Sequence, residues 1–316
     1  MPYAIEQKWI GTGKESVRGT SVDPTRFIPV GADSEMEYKL SLIEDEQVRG
    51  MLEKFPPQAG IKDGTGRIGG VDVTSTIIGE LLNSLMGKVV TTDLLLGAYK
   101  HVFTRETEVL LPSYTIALYR GLNAKKYPLG IVKSMAFTGA VDGKLIADCE
   151  VLFKTEEAYE SPATPTWEDP NPFMFFQTDF KIAGSSDTNV KDWTLTIDNG
   201  SITQRTLNQS QDVKEILSFA KMLISGTFNI FLENETERTK FLDNTSTSLE
   251  IVLTGGLIGG ANYHKLDIII PQVHYSAYPF GNLDGLLGVA VSFNGYYKLA
   301  DTKSLQIELT NNIVSY

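Results

Sequence analysis

Apolar and polar residues alternate with a period of two through much of the chain, the spacing of a strand that buries one face. In KDWTLTIDNG (191–200), Trp193, Leu195 and Ile197 share one side and Thr194, Thr196 and Asp198 the other, and the run stops at an Asn-Gly turn. The same alternation predicts strands in SGTFNIFLEN (225–234), SLEIVLTGG (248–256), KLDIIIPQV (265–273), GLLGVAVSFNG (285–295) and SLQIELTNN (304–312). In the first half it predicts strands in SEMEYKLSLIED (34–45), SYTIALYRG (113–121), GIVKSMAFTG (130–139) and KLIADCEVLFK (144–154), with RIGGVDVTSTI (67–77) extended at its start.

Two segments break the period. Ile77, Leu81, Leu82, Leu85 and Met86 recur at helical spacing and end at Gly87, a plausible C-cap. ETERTKFLD (235–243) has room for two helical turns. Many short strands divided by turn residues indicate a sandwich or small barrel.

The stretch ESPATPTWEDPNP (160–172) holds four prolines and can form neither a helix nor a central strand. It divides the chain into an N-terminal β domain (1–159), a Pro-rich linker (160–172) and a C-terminal β domain (173–316). The order strand, helix, strand, strand, strand recurs on both sides. YPLGIVKSMAFTG (127–139) sits beside NLDGLLGVAVSFNG (282–295), and SYTIALYRG matches SLEIVLTGG in kind. The expectation is therefore mainly β: two related antiparallel sandwich or barrel domains, each flanked by a short helix.

Twenty-eight basic residues against thirty-nine acidic ones give a net charge of −11 over 316 residues, which argues against a protein that grips nucleic-acid phosphates. A single cysteine, Cys149, excludes an intramolecular disulfide framework and Cys-rich zinc sites. Three histidines (His101, His264, His274) show no metal-ligand spacing, so neither a metal nor a cofactor is expected. The first fifteen residues lack the apolar core of a secretory signal, and no run reaches the roughly 18–20 apolar residues that cross a bilayer.

GTGRIGG (64–70) has the glycine density of a phosphate loop, but no Gly-Lys-Ser/Thr follows, and a turn-rich hairpin is the simpler expectation. GGLIGGAN (255–262) reads as a mobile hairpin. No Gly-x-Ser-x-Gly elbow is present. The residues point to a structural or binding protein rather than an enzyme. Uncovered strand edges and an acidic surface suit a chain that pairs with its own copies in a ring.

On these residues the chain resembles the major tail tube proteins of long-tailed bacteriophages. The resemblance rests on KDWTLTIDNG (191–200), SGTFNIFLEN (225–234), LDIIIPQV (266–273), DGLLGVAVSFNGYY (284–297) and LQIELTN (305–311), in that order. PTRFIPVGADSEMEY (24–38) and GGVDVTSTIIGELLNSLMG (69–87) are similar to the larger, single-chain members. It implies a virion protein made in the host cytoplasm that assembles into stacked rings, three copies favoured over six, with pseudo-sixfold symmetry. The tape-measure protein and double-stranded DNA would pass through the acidic lumen during assembly and genome ejection, and tail tip and terminator proteins would bind the ends. Segments 46–68 and 199–224 are then the inter-ring loops, with Arg49, Lys54, Arg205 and Lys214 as candidate inter-ring contacts.

Two other readings stay open. One is another phage ring or shell component, a tail-completion or capsid-associated protein. The other is a carbohydrate-binding β-sandwich, for which Trp167 and the Tyr263/Tyr275/Tyr278 group would have to form an exposed platform.

Overall fold

The computed structural model describes residues 7–167 and 171–316. The first half forms β1 (Trp9–Lys14), β2 (Arg26–Ile28), β3 (Glu35–Ile43), β4 (Gln58–Asp72), α1 (Ile78–Met86), β5 (Gly87–Asp93), β6 (Tyr99–Arg105), β7 (Tyr114–Tyr119), β8 (Ala124–Ala140), β9 (Ile146–Phe153) and β10 (Glu157–Tyr159). The second half forms β11 (Thr178–Ile182), β12 (Ser185–Ser186), β13 (Val190–Asp198), β14 (Ser201–Gln204), β15 (Glu215–Ser218) and β16 (Leu223–Phe231). It continues with α2 (Thr236–Leu242), β17 (Thr247–Gly259), β18 (Asn262–Ala277), β19 (Phe280–Leu283), β20 (Leu286–Gly295) and β21 (Gln306–Asn311). The protein is mainly β, and its paired strands are antiparallel.

Eight strands run in the order β3-β4-β9-β8-β13-β16-β20-β19 and form one sheet that crosses from the first half into the second. The crossing is the β8–β13 pair, in register from Ala140↔Asp192 to Ser134↔Asp198. A second layer runs β12-β11-β17-β18-β21-β6-β5, so here too a strand of the second half, β21, pairs with one of the first, β6. The far end of β18 bends out of this layer to pair with β20 of the first. The early part of β8 carries β7 and β10 at its edges, with β1 and β2 beyond β7.

The core lies between the two layers, because alternation turns one face of each strand inward. Met135, Phe137, Leu195, Ile197, Phe228 and Phe293 from the eight-stranded sheet meet Phe103, Leu266, Ile268 and Ile307 from the other, all within one buried cluster that spans both halves. Helix α1 is buried on every side, so its polar residues must find partners. Asn83 Nδ2 donates to the Tyr114 hydroxyl at 2.8 Å, and Ser84 Oγ accepts from the Val132 amide at 3.0 Å. Glu80 accepts from Thr12 and pairs with Arg26 at 3.1 Å; burial nevertheless raises its pKa against those contacts. Gly87 closes the helix at φ 89°, as its C-cap position predicts.

GTGRIGG is not a turn-rich hairpin but the middle of β4. Its glycines are there for clearance: a Cβ on Gly64 would strike the Phe153 ring, and one on Gly66 the Met36 side chain. Likewise GGLIGGAN is strand almost to its tip, with β17 ending at Gly259 and β18 starting at Asn262.

Residues 168–170 of the Pro-rich stretch and the first six residues lie outside the described residues. Downstream of that gap the chain returns to the core. Phe173 is buried, its amide donates to Val73 O at 3.0 Å, and its carbonyl accepts from the Leu145 amide at 2.8 Å.

Candidate functional site: the polar face and free edges of the eight-stranded sheet

The residues that do not face the core cover the opposite face of the eight-stranded sheet, and they are short. Along its middle lie Ser134, Ala136 and Thr138 of β8, Thr194 and Thr196 of β13, Ser225 and Thr227 of β16, and Ala290 and Ser292 of β20. Thr194 and Thr227 hydrogen-bond across the strands at 2.8 Å, and Asn229 Nδ2 donates to Asp192 at 2.6 Å. Threonine suits such a surface because its branched Cβ favours the strand while its hydroxyl stays polar.

The ionisable strand side chains of this face are Lys39, Arg67 and Lys133 against Glu35, Glu37, Asp63, Asp72, Asp148, Glu150, Asp192 and Asp198. Three cations against eight acids leave it formally at −5, concentrated on the first-half strands and on β13. The cations sit between carboxylates: Arg67 lies 2.7 Å from Asp33 and 3.0 Å from Asp148, and Lys133 lies 3.3 Å from Glu150. Burial works to raise the pKa of Glu35, but the Arg120 hydrogen bond and nearby positive charges outweigh it, and the net shift is downward.

Among the described residues, β3 pairs only with β4 and β19 only with β20, so the sheet ends in two open edges. Near the β19 end the side chain of Phe280 is exposed, on the face that is core elsewhere.

The two segments expected as loops differ from each other. Of 46–68, residues 58–68 belong to β4, and the remaining 46–57 lie in an exposed arm that spans 44–57. Arg49 and Lys54 lie on that arm. Arg49 pairs with Asp45 at 2.5 Å and stacks 4.5 Å from the Phe55 ring, and Lys54 reaches Glu44 at 3.2 Å. Segment 199–224 instead contains the β14–β15 hairpin and folds back onto the first half. Its Val213 and Ile216 are buried against Leu111, Leu129, Ile131 and Leu152, which covers one end of the polar face. Burying those two side chains contributes roughly 3–6 kcal/mol. Arg205 is tied down there, donating to Lys62 O at 2.7 Å and to Asp63, while Lys214 on the same hairpin is exposed. The structure therefore brings Arg205 and Lys214 together and leaves Arg49 and Lys54 on a separate element.

Other chemistry is sparse. A cleft of about 420 Å³ is lined in part by Ser75, Asn171, His264 and Asn312, and Ser75 Oγ lies 2.7 Å from His264 Nδ1. Among the described residues no carboxylate orients that ring, as a hydrolytic triad requires. No group of three His, Cys, Asp or Glu side chains is placed to hold a metal among the described residues. Cys149 is fully buried, and burial pushes its thiol pKa far up. Among the described residues no helix is long and apolar enough to cross a membrane. Tyr275 and Tyr278 are buried, so the aromatic platform expected of a carbohydrate binder does not form from them; Trp167 and Tyr263 are exposed.

A family model described as "Phage tail tube protein" matches residues 9–295, nearly the whole chain. No curated protein matches it.

Proposed function

The chain belongs to the phage tail tube protein family, and from that premise we propose that three copies close into a ring of pseudo-sixfold symmetry that stacks into the tail tube. Its polar sheet face lines the channel. The observation that carries this reading is the eight-stranded sheet itself, polar on one face, shared by both halves, and open at both edges.

An internal duplication underlies the pseudo-symmetry. The β8–β9 and β19–β20 hairpins both turn at Asp-Gly, and Asp142 and Asp284 both take positive φ, 64° and 53°. With these turns superposed, the registers can be followed strand by strand. Val151 falls on Phe293, Gly66 on Gly226, Met36 on Leu195 and Phe137 on Phe280. Glycine on glycine and phenylalanine on phenylalanine are what a duplication leaves. In this correspondence each half supplies four strands, and β8–β13 is the junction between equivalent units. The same junction, repeated between copies, sets the β19 edge of one against the β3 edge of the next, with Phe280 opposite Met36 and Gly281 opposite Glu35.

Three copies of eight strands at about 4.8 Å spacing, tilted by about 40°, close a barrel roughly 48 Å across. That is wide enough for a DNA duplex or an extended tape-measure protein. Hydroxyls and methyls give such a polymer nothing to grip, and net negative charge repels phosphates. Neither a cofactor nor catalysis enters this function. Tail tip and terminator proteins would meet the two ends of the stack, and assembly would take place in the host cytoplasm.

Electron microscopy of the purified chain over a concentration series tests the reading. Rings or tubes whose averages show threefold symmetry with six similar lobes are expected. Six identical chains per ring would overturn the trimer, and a chain that stays monomeric at every concentration would overturn self-assembly.

A further inference from the structure

The β14–β15 hairpin shows how one unit of this fold covers its neighbour. It belongs to the second half, follows the strand that pairs across the junction, and lies on the first half. There it shields Ile131 and Leu152 with Val213 and Ile216 and engages Asp63 through Arg205. The arm 44–57 stands at the equivalent place in the first half, after β3, and has no such surface within the chain. Val48 and Leu52 are 97% and 103% exposed, and Met51 and Phe55 are also exposed.

The matching landing surface is bare as well. In the correspondence above, Asp63, Ile131 and Leu152 fall on Leu223, His274 and Asn294. Among the described residues no hairpin covers these, although His274 and Asn294 are half-buried and His274 Nδ1 lies 2.9 Å from Asn244 Oδ1. Leu223 is 65% exposed, and Tyr296, beside it at the end of the β16–β20 ladder, is 48% exposed. The His274 ring packs edge-on to Tyr296 at 5.5 Å. Charge agrees with shape. The arm carries Glu44, Asp45, Glu46 and Glu53 against Arg49 and Lys54, and Lys221 and Lys298 flank the bare surface in sequence.

We propose that arm 44–57 of one copy lies over Leu223, His274 and Tyr296 of its neighbour in the same ring. It is a lateral clasp rather than a bridge to the next ring. This rests on the self-assembly reading above and assigns Arg49 and Lys54 to the contact within a ring. The apolar side chains of the arm take the part that Val213 and Ile216 play inside the chain.

The test uses the full chain with a photo-reactive benzoylphenylalanine in place of Leu52, illuminated after rings or tubes have been confirmed by microscopy. Cross-links between copies to the peptides holding Leu223, His274 or Tyr296 are expected. Cross-links to any other surface would overturn the clasp. A second form replaces residues 46–53 by a short Gly-Ser turn, with thermal unfolding of the monomer as the check on folding. Ring formation should then need at least roughly tenfold more protein. Intact rings that no longer stack would overturn the proposal in favour of an axial bridge. Should the unmodified chain form neither rings nor tubes, self-assembly itself fails, and the clasp with it; the other outcomes refute the clasp alone.

Discussion

Asn199 joins the two halves through one amide, and replacing it tests whether the junction is held as described. Its side chain is wholly buried; Nδ2 donates to Leu85 O at 3.1 Å and Val132 O at 2.7 Å, and Oδ1 accepts from the Ser201 amide at 3.0 Å. Those partners belong to the end of α1, to β8 and to the start of β14. Asn199→Ala removes three hydrogen bonds at about 1 kcal/mol each and leaves buried partners unpaired, so a loss of about 3–4 kcal/mol is expected. Asn199→Asp keeps the shape but sets a carboxylate oxygen against two carbonyl oxygens. Its folded pKa must rise above the unfolded value of about 3.9. The deficit of this variant is therefore full above the folded pKa and is relieved as pH falls through it, since protonation restores one donor. Urea unfolding followed by tryptophan fluorescence, at neutral pH and near pH 5, measures both. An alanine variant within about 1 kcal/mol of the parent, or an aspartate variant whose deficit does not shrink in acid, would refute the reasoning.

Two further outcomes are expected. Gly281→Cys combined with Glu35→Cys should give disulfide-linked copies in assembled rings, in a ladder that stops at three. The two positions lie seven strand spacings apart within one chain, about 34 Å, so the link cannot form internally; the native Cys149 is buried and silent. Equal or better linking by Gly281→Cys with Lys39→Cys would show a different register. Secondly, stability should fall as pH drops from about 7.5 to 5. Burial lowers the pKa of His101 despite its bonds to Asn311 and Ile313, and burial lowers that of His264 as well. The unfolded chain takes up protons first, near pH 6.5, so their contribution is whole above that pH and is lost as pH falls toward the folded values. An unfolding midpoint that stays flat across this range would contradict the neutral, buried state of His101.

The strands visible in the sequence were those with a clean period of two. The runs 191–200, 225–234 and 285–295 overlap β13, β16 and β20 to within three residues at an end, and 248–256 lies wholly inside β17. The helices at 78–86 and 236–242 were legible for the opposite reason, a local break in that period. β5 (GKVVTTD) escaped because Val89 and Val90 are adjacent and its exposed face is already mixed. β1 (WIGTGK) and the start of β4 escaped because glycine, read locally, means a turn. Whether a glycine is a hinge or the clearance under Phe153 depends on a strand some ninety residues away. The polar face was half legible. Thr194, Thr196 and Asp198 could be assigned to one side, but not that β8 would lie beside them, since the Ala140↔Asp192 pair is a tertiary choice. The same limit kept Arg205, held by Asp63, from being told apart from Arg49 on its bare arm.

The two open edges also bear on when this chain can be made safely. An unpaired strand is a template for any other, so a freshly folded copy risks growing irregular aggregates. Both edges carry deterrents. β3 presents Glu35, Glu37 and Lys39 in alternation, and β19 is four residues long, with Pro279, which has no N–H to offer, just ahead of it. In the proposed assembly such edges would add a partner only where register and charge match along their length, so a first contact would form more slowly than later ones. Under the ring assembly proposed above, a cell would hold a large reserve of folded subunits and release it into growth only where a ready-made ring supplies the starting surface, so that tail length would be governed by where polymerisation begins and ends rather than by how much subunit is present.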